Sequence, residues 1–169
     1  NPPVLYLPHP YDETPAGAEI HGGIPVCWPW FARCGPAGSK LHGVARYARW
    51  RVTGSEYSED VTEVTLALES DAETRKAWPH DFALELKVSV SMKLTLALRA
   101  TNTGTEAFHV TEGFHPYVLV RERDQAEVLG VDGCEFTDTR APEKGVRTWT
   151  GSYAVREAGS KIYQVAKRE

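Results

Sequence analysis

The side chains with chemistry to offer cluster early in the chain. Residues 20–46 read IHGGIPVCWPWFARCGPAGSKLHGVAR, and they hold His21, Trp28, Trp30, His42 and Arg46. An indole face can cover the apolar side of a pyranose, while imidazole and guanidinium groups bind hydroxyls or a phosphate. A second reading fits the same letters equally well: a tryptophan-rich plug of the core beneath a long loop. His115 stands apart, within Thr111-Glu112-Gly113-Phe114-His115-Pro116-Tyr117. Its imidazole suits proton transfer to an oxygen near neutral pH. A solitary histidine on a strand is more often structural, and the residues alone leave that open. His42, His109 and His115 could converge on a metal, but no H-x-H or carboxylate spacing supports such a site.

These groups need elements to hold them. Gly22 and Gly23 permit a turn that side chains would block, and Pro25 and Pro29 forbid a regular helix between them. Residues 4–7 (VLYL), bounded by prolines, read as an edge strand. Residues 48–54 and 61–70 read as two strands, and 82–90 alternates as a half-buried antiparallel strand. Residues 92–101 repeat that pattern after only Ser91, with no Gly, Asn or Pro to make a hairpin. A short helix is predicted at 71–77, opened by Asp71, followed by a tight turn at Trp78-Pro79-His80-Asp81 whose His80 and Asp81 are structural. Further strands are predicted at 107–120 (interrupted at Gly113 and Pro116), 126–129, 134–137 and 161–165, with a turn at Asp132-Gly133. Many short strands and hardly any helix indicate an all-β, antiparallel sandwich in one domain spanning 1–169.

At 169 residues, with 41% hydrophobic and 25% charged content, the chain can support one ordinary globular core. A net charge of −4 argues against a nucleic-acid partner. The absence of a long apolar run argues against a membrane span, and the N-terminal letters have no signal-peptide pattern. Three cysteines, Cys27, Cys34 and Cys134, are an odd number without metal-ligand spacing. They read as free thiols in a reducing cytoplasm, although Cys27 and Cys34 could meet across the loop.

The run from Gly22 to Phe31 (GGIPVCWPWF), then His42-Gly43-Val44-Ala45-Arg46 and Trp50, resembles the hexose-6-phosphate mutarotase branch of the aldose 1-epimerase superfamily. Further matches are Trp78-Pro79-His80-Asp81-Phe82, the strand at 94–102, and Phe114-His115-Pro116-Tyr117. The resemblance implies a galactose-mutarotase-type β-sandwich, a sugar or sugar-phosphate substrate, no cofactor and no metal, and a monomer is favoured. It places His115 at the general acid, His42 beside a hydroxyl or the ring oxygen, and Arg46 against a phosphate, with Trp28 or Trp30 lining the pocket. His21 departs from the pattern, which has arginine there to help bind phosphate. Histidine is shorter and only partly charged at neutral pH.

Mutarotation also needs a base, which the resemblance puts on a late glutamate in a C-V-E type segment. Neither that segment nor the D-R-V-Y and W-N-P motifs before it occurs among these residues. Glu112 and Glu135 do not fall on its position. The join after Tyr153 and the turnless Ser91-Met92 therefore predict residues absent between Gly151 and Glu157, and secondarily between Val90 and Lys93. A non-catalytic carbohydrate-binding relative is the alternative to an enzyme.

Overall fold

The computed structural model describes residues 3–8, 19–156 and 159–164. It is mostly β, with antiparallel sheets and one α-helix of six residues among those described. Among the described residues, no helix is long and apolar enough to cross a membrane. The chain gathers into two compact units, Leu5–Val118 and Asn1–Val4 with Leu119–Glu169.

The larger unit is built on a four-stranded sheet, β2 (Arg51–Tyr57), β3 (Thr62–Glu69), β4 (Phe82–Val90) and β5 (Leu94–Asn102), in that order. Alternation decides which side chains go inward. Phe82, Leu84 and Leu86 of β4 and Leu68 of β3 are buried, while Glu85 and Lys87, on either side of Leu86, are exposed. Between β3 and β4, helix α1 (Ala72–Ala77) starts on a capping box. The Asp71 carboxylate accepts from the Thr74 backbone, and the Thr74 hydroxyl accepts from the Asp71 backbone. After it, Trp78 is buried, and Asp81 pairs with Arg75 rather than with His80.

The β4–β5 join corrects one expectation. Register is unbroken from Phe82↔Asn102 to Val90↔Leu94, and residues 91–93 close the hairpin as they stand. The Ser91 amide donates to the Lys93 carbonyl at 2.9 Å, and the Lys93 amide donates to Ser91 Oγ at 3.2 Å. The serine hydroxyl accepts a backbone amide as the side chain of Asn or Asp does in an Asx-turn. At the other predicted gap, residues 151–156 run on as bonded chain. The Gly151 amide donates to Asp132 and the Val155 amide to the Ala126 carbonyl. Glu157 lies outside the described residues.

The strand expected over 107–120 is shorter than its pattern suggested. Only Gly113–Phe114 (β6) pairs as strand, with Val26–Cys27 (β1). The reason lies across the ladder. Thr111, His115 and Tyr117 donate their amides to the carbonyls of Pro29, Pro25 and Gly23. Pro25 and Pro29 have no N–H to return, so the pairing runs largely one way. The expected edge strand at 4–7 is likewise reduced to a bridge, Leu5↔Val118, with the Tyr6 amide bonded to the Tyr117 carbonyl.

In the smaller unit, β8 (Glu135–Asp138) lies between β9 (Arg147–Thr148) and β11 (Lys161–Gln164), and β7 (Glu127–Val128) pairs with β10 (Tyr153–Ala154). An aromatic cluster holds it: Phe136, Trp149, Tyr153 and Tyr163, with ring centroids 5.2–6.4 Å apart.

Candidate active site

The 20–46 stretch sends its side chains to two destinations. Trp28 is fully buried and packs against Trp78, Phe82 and Phe108, at centroid distances of 5.1, 4.5 and 6.4 Å. Trp30 is also buried, and its indole N–H donates to the Lys40 carbonyl. Its exposed rim belongs to a groove of about 790 Å³ shared with Lys40, Tyr47 and the start of α1, whose lining includes neither His42 nor His115. Trp28 is therefore core, contrary to the expected pocket lining, while Trp30 borders a groove away from the two imidazoles. A ring with three aromatic neighbours gains more from burial than it could from partial stacking on a hydrated sugar.

The polar residues converge instead. One crossing of backbone accounts for this. The Trp28 carbonyl accepts from the amides of both Val44 and Ala45, at 2.8 and 3.1 Å. That contact requires glycine at position 43: φ is +82°, and a Cβ there would lie 2.0 Å from the Trp28 carbonyl oxygen. His42, immediately before it, is itself held at φ +65°. On the other edge of the same segment, the His115 amide is bonded to the Pro25 carbonyl. The two imidazoles meet edge to face with centroids 5.5 Å apart.

His42 is buried and its tautomer is set by a backbone group. Nδ1 accepts from the Ala32 amide at 3.1 Å, so the neutral ring carries its proton on Nε2. Burial lowers its pKa below the ordinary 6.5, and the nearby Arg46 and His115 lower it further against a smaller opposing pull from Glu19. At neutral pH it is thus an uncharged hydrogen-bond donor. Phe31 closes over it, edge-on, at 5.0 Å. His115 Nδ1 is buried without a hydrogen-bond partner among the described residues, and the Tyr117 ring lies 4.9 Å from the His115 ring.

Tyr117 extends the cluster outward. Its hydroxyl lies 3.1 Å from His21 Nδ1. His21 Nε2 lies 3.9 Å from Glu19, and the same carboxylate lies 3.1 Å from Arg46 Nη2. Arg46 also donates to the Ile20 carbonyl at 2.9 Å, and its side chain is 2% exposed. His21, His42, Arg46 and His115 are therefore brought together. Glu19 and Tyr117 are the members that residue-by-residue reading passed over. Tyr117 could have been found, since it lies two residues from His115 and so on the same side of an extended segment. Glu19 carries no local signal.

The cysteines are free, with Cys27 buried and Cys34 exposed. Burial raises the pKa of the Cys27 thiol against the opposing pull of Arg46, so it is kept protonated. No group of three or more His, Cys, Asp or Glu among the described residues is arranged to hold a metal ion.

The chain resembles known proteins over most of its length. The family model described as aldose 1-epimerase matches residues 17–164. A Salmonella typhimurium protein named "Putative glucose-6-phosphate 1-epimerase" is 33% identical over 137 residues, covering 80% of this chain and 44% of its own. A protein of the same name from Cenchrus ciliaris is 31% identical, covering 87% and 47%. Among solved structures, the Salmonella typhimurium "putative mutarotase (YeaD)" superposes with a TM-score of 0.83 at 30% identity, over 96% of this chain and 53% of that one. The chain thus spans about half the length of the curated relatives it matches.

Proposed function

Since the chain belongs to the aldose 1-epimerase family, we propose that it serves the interconversion of α and β anomers of an aldose, either a hexose or its 6-phosphate. The observation that carries this reading is the His42–His115 pair: two imidazoles 5.5 Å apart, one of them fixed by the Ala32 amide as a neutral Nε2–H donor. The reaction needs no cofactor. An acid gives a proton to the ring oxygen as a carboxylate base takes one from the anomeric hydroxyl. The bond from C1 to the ring oxygen breaks, and an open-chain aldehyde results. Rotation about C1–C2 presents the other face of the carbonyl, and the two groups exchange roles as the ring closes. Holding both partners in place at once supplies much of the rate.

In this reading His115 is the acid and His42 donates to an oxygen at the ring-oxygen end. Remaining neutral, His42 adds no like charge to oppose protonated His115. Arg46 and His21 lie at the outer part of the same cluster, toward the rest of the sugar. No residue of this chain is assigned as the base.

Anomer exchange followed by NMR tests the proposal, with glucose, galactose and glucose 6-phosphate as substrates. The protein is expected to exchange at least one of them faster than buffer, and His115→Ala to slow that exchange by about 10²–10⁴-fold. Exchange at the buffer rate with all three would remove the enzyme reading. Equal rates in the two proteins would remove His115 from the acid's role.

A further inference from the structure

Around the two imidazoles, the cluster's groups able to meet a phosphate are Arg46 and His21, and both already face one carboxylate. Glu19 Oε1 lies 3.1 Å from Arg46 Nη2, and Glu19 Oε2 lies 3.9 Å from His21 Nε2. The same Arg46 nitrogen is bonded to the Ile20 carbonyl, and its side chain is almost wholly buried. The other nitrogen of His21 is engaged by the Tyr117 hydroxyl.

We propose that Glu19 determines substrate class: its carboxylate occupies the ground between Arg46 and His21 that a substrate phosphate would need, and the site takes an uncharged aldose in preference to the 6-phosphate. This rests on the sugar-site reading above. A phosphate dianion has two ways to enter. It can stand beside Glu19 and meet like charge at short range, or it can displace the carboxylate from a guanidinium that is nearly out of water. Both are costly. With Arg46 balanced by Glu19, the pair offers an entering dianion little net positive charge. A sugar hydroxyl faces neither cost, since it can donate to the carboxylate and accept from His21.

The test is the dissociation constants of glucose and glucose 6-phosphate, measured by NMR titration of the wild-type protein and of Glu19→Gln. The wild type is expected to bind glucose at least as tightly as its 6-phosphate. Glu19→Gln keeps an oxygen for Arg46 but removes the charge. It is expected to tighten the 6-phosphate relative to glucose about tenfold. The wild-type comparison needs no variant, so a Glu19→Gln protein that fails to fold still leaves the proposal exposed to refutation. Wild-type preference for the 6-phosphate, or a Glu19→Gln protein that folds with no gain for it, overturns the role of Glu19 alone. Binding of neither sugar overturns the sugar site beneath it.

Discussion

Trp28 and His42 lie within one short stretch, and their surroundings could hardly differ more. Trp28 is enclosed by three aromatic rings, with no exposed surface. His42 belongs to a cluster whose polar atoms meet a backbone amide, another imidazole and, through Arg46 and Glu19, a half-exposed carboxylate. A backbone junction joins the two regions, the Trp28 carbonyl that receives Val44 and Ala45. The apolar region therefore acts as a mount. Its packing fixes where the Trp28 carbonyl is, that carbonyl fixes the turn at Gly43, and the turn fixes His42. Rigid packing beneath a polar cluster keeps its distances without many direct bonds among its members.

The largest effect should come from breaking the mount. Trp28→Ala removes a fully buried indole and is expected to cost about 3–5 kcal/mol of stability, read as a lowered midpoint in denaturant unfolding. A cost below about 1 kcal/mol would mean that the ring is not the support described here.

Gly43→Ala attacks the junction itself. It places a Cβ against the Trp28 carbonyl in a left-handed backbone conformation. Its cost should exceed the about 1–2 kcal/mol of that conformation alone. A protein that keeps wild-type stability after this change would show that the two regions are not joined at this point.

A smaller effect separates the regions by pH. His42 holds its proton less firmly in the folded chain than in the unfolded one, because of burial and the Arg46 and His115 charges. Its contribution to stability is therefore complete above the ordinary value of 6.5 and is lost as pH falls through 6.5 toward the lowered folded value. The slope from this group is limited to about 1.4 kcal/mol per pH unit. His42→Asn keeps an acceptor for the Ala32 amide and tolerates the left-handed backbone, so it should flatten the decline between pH 7 and pH 5. Parallel stability curves for the two proteins would refute this.

The smallest effect belongs to the rim. Tyr117→Phe deletes the bond to the exposed His21 but keeps the ring beside His115. Unfolding should shift by less than about 1 kcal/mol. A larger loss would make the hydroxyl a structural member of the cluster rather than its edge.

What the sequence by itself determined was local. Alternation of Phe82, Leu84 and Leu86 marked β4 because a half-buried strand imposes period two on its side chains. Asp71 marked the start of α1 because a helix begins with amides that need an acceptor, and a carboxylate supplies one. The resemblance of motifs led to an expectation that His42, Arg46 and His115 share a site, and their proximity was seen only in the fold. Three further matters were decided only by tertiary structure. The same WPW letters serve a pocket or a core, and the choice fell to burial because Trp78, Phe82 and Phe108 arrive from distant parts of the chain to enclose Trp28. The hairpin at 91–93 looked unclosable because its serine could not be seen to bond to the Lys93 backbone until register brought the two together. The placing of Glu19 between Arg46 and His21 had no signal at all, because a carboxylate in a loop takes its meaning from the cations that folding sets beside it.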